Sequence, residues 1–241
     1  MAQIIMEYPI LIFFGLAPSA AWLLFYLRKD VHPESNRMIL KVFFFGMIVA
    51  LPVVLAEMGI TGEINKLNLP HLLISVLSIF LGVALVEELI KYLVVREKVL
   101  EHHEFDEPID AVLYMIIAAL GFAASENILI IFSLGPKFLL GDVFSISIFR
   151  FLGATFLHGL ASGIMGYFLA LSIYETGKRT RLLFVGIVTA TLLHGLYNLS
   201  IIEIGGKSGF IIPVIVLLGS TVFLTYGFKK LKKLKSICKI H

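Results

Sequence analysis

The chain alternates between long apolar stretches and short polar segments. A helix needs about 20 mostly apolar residues to cross a bilayer, at a rise of about 1.5 Å per residue. Seven stretches are close to that length or longer, at residues 9–27, 38–56, 71–95, 109–134, 144–174, 182–204 and 210–228. The segments between them hold charges, prolines and glycines, which are typical of turns. The pattern predicts an all-α membrane protein with about seven transmembrane helices, forming one bundle over residues 1–241.

The basic residues are distributed unevenly over the connecting segments. The first, third and fifth segments hold three, two and three Lys or Arg residues, whereas the second, fourth and sixth hold one each. The segment after residue 228 holds six, and the segment before residue 9 holds none. Because cytoplasmic loops carry the excess of Lys and Arg, this alternation predicts an N-terminus outside and a C-terminus in the cytoplasm. We expect a multi-pass protein of the plasma membrane.

Composition excludes several classes of function. Hydrophobic residues make up 59% of the 241 residues and charged residues only 15%, which is typical of a protein surrounded by the lipid bilayer. The only cysteine is Cys238, so neither an internal disulfide nor a cysteine-based metal cage can form within one chain. The chain has no glycine-rich phosphate loop and no basic face interleaved with aromatic residues. We therefore expect no nucleic-acid partner.

Four successive spans contain polar side chains, which are unusual inside transmembrane helices. They are Glu87, Glu88 and Lys91 in the third span, Glu126 and Asn127 in the fourth, Arg150 and His158 in the fifth, and His194 and Asn198 in the sixth. A charged group at mid-bilayer costs at least about 2.5 kcal/mol, so such groups usually face the bundle interior and mark function. In a helix, Lys91 lies near both Glu87 and Glu88, and can partly neutralise either acid. A lone buried His or Asn often only joins helices, but the whole set exceeds what packing needs.

The depths of these residues agree only in part. Counted from the cytoplasmic ends of the apolar stretches, Glu87 lies roughly 13 Å deep, His194 roughly 18 Å, and His158 and Glu126 roughly 25 Å. One shared site therefore requires tilted helices or different helix ends. A fourth helix that starts one turn later would bring Glu126 closer to the others.

The polar set can support peptide hydrolysis. Two imidazoles and a carboxylate from different helices can hold Zn²⁺ and leave a fourth position for water, whose pKa then falls towards neutrality. A further carboxylate, Glu87 or Glu88, can take the proton from that water and deliver it to the leaving amine. A metal-free version uses the glutamate as base, with His and Asn donors directed at the oxyanion. The usual His-Glu-x-x-His zinc helix is absent.

The order of these motifs resembles the PrsW family of intramembrane proteases, which is related to the CAAX prenyl endopeptidases of the ABI type. The motifs are Glu87-Glu88-x-x-Lys91, Phe122-x-x-x-Glu126-Asn127, His158 in a Gly/Ser-rich helix, and His194-x-x-x-Asn198, and they cover about half of the chain. The CAAX branch has Glu-Glu-x-x-x-Arg and Phe-x-x-x-His instead. This chain has Lys91 one residue earlier and Glu126 in place of the His, so it resembles the PrsW branch, and prenyl-peptide cleavage is not expected.

The resemblance implies an intramembrane endopeptidase that cuts a membrane-anchored protein substrate, commonly to free a regulator in a signalling cascade. It implies a catalytic core over about residues 71–204, in which Lys91 and Asn127 have supporting roles. The catalytic residues that it implies are Glu87, Glu88, Glu126, His158, His194 and Asn198. If a metal such as Zn²⁺ takes part, the expected ligands are Glu126, His158 and His194.

Three other interpretations remain open. Chains of Glu, His and Arg inside a membrane also serve ion pathways, so the main alternative is an ion or proton-coupled transporter, which would show flux in liposomes. A second is b-type haem bound between His158 and His194, which would give a visible absorption band. A third is a scaffold whose polar groups only join helices, and such a scaffold would tolerate Glu87→Gln.

Overall fold

The computed structural model describes residues 2–28, 34–134, 139–204 and 206–234, and all regular secondary structure within them is helical. The α-helices are α1 (Ala2–Leu27), α2 (Asn36–Ile64), α3 (His71–Leu77), α4 (Leu85–Lys98), α5 (Pro108–Ser133), α6 (Leu140–Leu152), α7 (Ala154–Tyr174), α8 (Arg179–Leu199) and α9 (Gly206–Leu231). A π-helical segment, Ser78–Ala84, joins α3 to α4, and a second one, Ser200–Ile204, follows α8. A short 3₁₀ turn, Thr176–Lys178, precedes α8.

Seven helical stretches among these residues are long and apolar enough to cross a membrane. The predicted all-α bundle of about seven spans is therefore confirmed. The predicted orientation of the two termini remains a prediction.

The second and fifth predicted spans differ in helix structure from the hydropathy pattern. The second span continues to Ile64 instead of ending at residue 56, so the helix includes Glu57, whose carbonyl oxygen accepts a 2.6 Å hydrogen bond from the Thr61 hydroxyl. The fifth span is not one helix but two, α6 and α7, which meet at Gly153. A side chain at Gly153 would overlap the Tyr197 hydroxyl, so glycine is the residue that this junction accepts.

Helix α5 is the central helix of the bundle. Every residue from Pro108 to Ala124 is buried, whereas the helices around it keep exposed apolar residues of the kind that face lipid. Glycines permit the closest approach between α5 and α2: Gly46 lies against the Ala118 carbonyl group, and Gly121 lies against the Phe43 carbonyl group. Small residues at such crossings are the usual means of packing helices tightly in a membrane.

Gly121→Val should destabilise the bundle by about 1–3 kcal/mol, because the new Cβ would overlap the Phe43 carbonyl oxygen and push α2 away from α5. The quantity to measure is the free energy of unfolding in detergent micelles. Gly59→Val is the matched control on α2, since no atom lies within 4 Å of the position its Cβ would take. An equal loss of stability in both variants would mean that the close approach of α2 and α5 does not contribute to the free energy of unfolding.

The helix ends explain part of the mismatch in depth. Helix α4 continues to Lys98 and α8 begins at Arg179, so Glu87 and His194 both lie farther from these helix ends than hydropathy indicated. The alternative of a later start for the fourth helix is wrong, because α5 begins at Pro108. There the Asp110 carboxylate accepts hydrogen bonds from the backbone N–H groups of Asp106 and Glu107, at 3.0 and 2.7 Å.

Candidate active site

The ammonium group of Lys91 lies inside a buried cluster of polar side chains. Its Nζ atom is 2.8 Å from Glu87 Oε2, 2.8 Å from Glu88 Oε1 and 2.8 Å from His158 Nδ1. All four residues are at most 4% exposed. The Phe122 ring lies 4.6 Å from the same ammonium and closes one side. Charges removed from water in this way interact strongly, so the cluster is held in one arrangement.

Glu88 connects three helices through its two carboxylate oxygens. Oε1 accepts the bond from Lys91 and lies 3.1 Å from His194 Nδ1 on α8. Oε2 accepts a 2.7 Å hydrogen bond from the Ser162 hydroxyl on α7. Glu87 differs, because its bond to Lys91 uses Oε2 only. Within the described part of the chain, no hydrogen bond to Glu87 Oε1 is present.

His158 extends the cluster towards α5 and α6. Its Nε2 atom lies 2.9 Å from Glu126 Oε2, an oxygen that also accepts a 2.8 Å bond from Arg150 Nη2. Arg150 Nε donates to the Asn127 side-chain oxygen. The Asn127 amide in turn donates to the Thr155 hydroxyl at 3.1 Å and to the Gly15 carbonyl at 3.2 Å. The Glu126 side chain is 29% exposed, so this end of the cluster is the more open one.

Local helix geometry brings these groups together. Lys91 follows Glu87 and Glu88 by four and three residues on α4, so all three side chains share one helix face. The break at Gly153 lets Arg150, near the end of α6, and Thr155, at the start of α7, both bond to Asn127. Gly195 allows α8 to pack on Phe80 of the first π-helical segment, next to His194. Such π-helical turns are frequent at functional sites.

Most of the predicted site residues meet in this network, and one does not. The predicted residues that meet are Glu87, Glu88, Lys91, Glu126, Asn127, His158 and His194. Asn198 lies one turn beyond His194 and is half-buried, and among the described residues it makes no hydrogen bond to them. Arg150, for which the sequence predicts no specific role, is part of the network.

Three side chains in or near the network were not predicted. Ser162 donates a hydrogen bond to Glu88 and Thr155 accepts one from Asn127, and the four-residue spacing of Ser162 from His158 was the available signal. The third is Glu57, whose Oε1 atom is buried without a hydrogen-bond partner in the described part of the chain. Its electrostatic neighbours include Glu87 and Lys91. Glu57 was overlooked because the second span was expected to end just before it.

The donor set of the cluster fits a metal ion. Glu87, Glu88, His158 and His194 each offer one ligand atom, and these atoms all lie within 4.8 Å of one another. Carboxylate oxygens and imidazole nitrogens are ligands that Zn²⁺ accepts. A positive group, the Lys91 ammonium, already lies against donors of three of these residues. Glu126, the predicted third ligand, is outside this compact group and adjoins the other nitrogen of the His158 ring.

The two imidazoles do not form a haem site. Their ring centroids are 4.9 Å apart and the ring planes cross at 84°, so the edge of one ring faces the plane of the other. Axial ligands of haem lie on opposite faces of a flat macrocycle. No porphyrin plane fits between rings in this arrangement.

The seven-span bundle with buried acids and imidazoles belongs to the class of membrane-embedded hydrolases, as comparison with known proteins shows. Residues 34–225 match the family model described as PrsW family intramembrane metalloprotease. A protease PrsW from Geobacillus kaustophilus is 34% identical over 76% of each chain. One from Oceanobacillus iheyensis is 30% identical over 85% of this chain and 88% of its own. One from Bacillus subtilis is 28% identical over 92% and 94%. No solved structure matches.

The chain belongs to the PrsW family of intramembrane metalloproteases. It is a multi-pass integral membrane protein and a hydrolase that acts on membrane protein substrates within a bilayer. The resemblance predicted from the four motifs is confirmed, and the match extends well beyond them. The family assignment favours the protease over the transporter that the sequence left open.

Proposed function

We propose that this protease cleaves its substrate at the cluster around Lys91, with Glu87 as the general base. The observation that carries the proposal is the meeting of acids from α4 and α5 with imidazoles from α7 and α8 in one hydrogen-bonded network. Glu87 is the better base of the two adjacent acids, because both oxygens of Glu88 already accept hydrogen bonds. Glu87 Oε1 is therefore the atom that takes the proton from the attacking water.

We assign the metal to Glu88, His158 and His194. These residues supply a carboxylate and two imidazoles, the ligand set of several zinc hydrolases, and Glu87 lies beside them. When bound, Zn²⁺ would lower the pKa of its water towards neutrality and polarise the scissile carbonyl. Glu126 acts indirectly, by holding the His158 ring through Nε2, and Arg150 holds Glu126 in turn. This assignment replaces the predicted ligand Glu126 with Glu88.

Glu87 transfers one proton in two steps, first as a base and then as an acid. Water adds to the peptide carbonyl and gives its proton to Glu87 Oε1. The same proton then passes from Glu87 to the nitrogen of the leaving amine, and the C–N bond breaks. His194 and Asn198 are one turn apart on α8, and Asn198 is the side-chain amide proposed to donate to the oxyanion.

The substrate, on this proposal, is a protein anchored by a membrane span, and the protease lies in the plasma membrane with its C-terminus in the cytoplasm. Support for the orientation comes from the alternation of basic residues between segments. The function is tested with purified protein in liposomes that also contain a panel of single-span reporters. Mass spectrometry should identify a new pair of termini within or beside the span of at least one reporter. Intact reporters throughout, with protein that is folded and metal-loaded, would contradict the proposal.

The metal assignment makes a separate prediction about ion content. Purified wild-type protein should retain about one ion per chain after dialysis, whereas Glu88→Gln, His158→Ala and His194→Ala should lose it. Glu126→Gln should keep it, because Glu126 adjoins the His158 ring without belonging to the compact donor group. Inductively coupled plasma mass spectrometry gives the ratio of ion to chain.

A control is needed because a second group, His102, His103 and Glu104, also brings donors together on the loop before α5. The double variant His102→Ala/His103→Ala should leave the retained ion unchanged. Loss of the ion in Glu126→Gln but not in Glu88→Gln would mean that Glu126 is the carboxylate ligand, as the sequence predicted, and that Glu88 is not.

A further inference from the structure

A groove lies on the side of the bundle where α1 and α9 face each other. It has a volume of about 540 Å³ and is lined mainly by apolar side chains. Trp22 and Tyr26 of α1 form one wall, Leu224 and Phe228 of α9 form the other, and Phe156 of α7 lies between them. Its size is in the range of pockets that hold small ligands.

One end of the groove is strongly basic. Lys229 and Lys232 line it at the C-terminal end of α9, and both are exposed. The neighbouring Lys230 is directed elsewhere, since its ammonium lies 5.8 Å from the Tyr167 ring. An apolar groove that ends in two cations is complementary to a molecule with a hydrocarbon chain and an anionic head.

We propose that this groove binds an anionic phospholipid, with an acyl chain along the aromatic wall and the phosphate near Lys229 and Lys232. An uncharged transmembrane segment of a substrate fits less well, because it offers no anion to these two ammonium groups.

The bound lipid would adjoin the junction that carries part of the active-site network. The Trp22 ring stacks on Phe156, with centroids 4.0 Å apart, and its Nε1 atom donates a 2.8 Å bond to the Phe151 carbonyl. Phe151 follows Arg150, which bonds to Glu126 and Asn127. A lipid packed on Trp22 would therefore stabilise the C-terminal end of α6, where Arg150 bonds to the cluster.

The test is lipid binding to the purified full-length protein in detergent, followed by native mass spectrometry with phosphatidylglycerol and phosphatidylcholine. Two lysines near a phosphate should give a roughly 30-fold preference for the anionic lipid. Lys229→Gln/Lys232→Gln should remove most of this preference, and Lys230→Gln, the matched control, should keep it. Thr225→Trp, which introduces a large side chain into the groove, should displace both lipids.

Each other outcome would overturn the proposal. Equal retention of both lipids, or a preference unchanged by Lys229→Gln/Lys232→Gln, would remove the anionic site. Competition by glycerol 3-phosphate as strong as that by the intact lipid would show a phosphate site without an acyl chain. A single-span peptide that binds the groove and expels the lipid would make the groove a peptide site instead.

Discussion

Glu87→Gln is expected to lower the rate of reporter cleavage at least about 100-fold, the loss that removal of a general base usually causes. Glutamine has nearly the same shape as glutamate and can still accept the 2.8 Å bond from Lys91, but it cannot hold the proton of the attacking water. The protein should therefore fold, accumulate and keep its metal ion. The measurement is the initial rate of cleavage in liposomes, together with the ratio of ion to chain.

Two comparisons make this result specific. Glu97→Gln is the same chemical change on the same helix, where the side chain is 58% exposed and pairs with Arg96, and it should cleave at the wild-type rate. Glu88→Gln should lose both cleavage and the metal ion, whereas Glu87→Gln should lose cleavage alone. If Glu87→Gln instead loses both cleavage and the ion, while Glu88→Gln retains the ion and does not cleave, the two roles are exchanged.

Lys91→Met is expected to destabilise the protein by about 3–5 kcal/mol, because it leaves two carboxylates buried together without the ammonium that separates them. Methionine is of similar length and keeps the packing on Phe122. The loss of stability therefore measures the effect of removing the positive charge. The free energy of unfolding in mixed micelles is the quantity to compare. Added Zn²⁺ should restore more stability to the variant than to wild type, since the ion binds only the folded state and replaces the missing positive charge.

The control for this effect is on the same helix. Lys98→Met removes an ammonium that lies over the Phe45 ring, 4.6 Å from its centroid, and should cost less than about 1 kcal/mol. The double variant Glu87→Gln/Lys91→Met should recover part of the stability that Lys91→Met loses, because one of the two like charges is gone. A Lys91→Met protein as stable as wild type would mean that the three contacts of the ammonium contribute nothing to folding.

Part of the site could be read from the chain because it depends on spacing within one helix. Glu87, Glu88 and Lys91 are close along α4, so helix periodicity alone predicts their ion pairs, and these form at 2.8 Å. Hydropathy likewise predicts the seven spans, since the length of an apolar helix is set by the thickness of the bilayer. Both features are determined by residues within a single helix.

The remaining contacts depend on how helices pack, and single-helix patterns do not encode that. Arg150 could not be assigned to Glu126 and Asn127, because these residues lie on different helices and the chain breaks at Gly153 between α6 and α7. Glu57 was missed for a related reason. A charged residue at the end of an apolar stretch usually indicates a loop, and hydropathy does not show that the helix continues past it. The exchange of Glu126 for Glu88 in the proposed ligand set also follows from distances between helices.

The most direct test of the central claim, that these acids and imidazoles form one metal-dependent hydrolytic site, is removal and return of the ion. Purified protein in liposomes is treated with a membrane-permeant chelator, and cleavage of a single-span reporter is followed before and after Zn²⁺ is added back. We expect cleavage to stop when the ion is removed and to return with about one equivalent of Zn²⁺ per chain, in wild type but not in His194→Ala. Undiminished cleavage by protein verified to be free of metal would contradict the account.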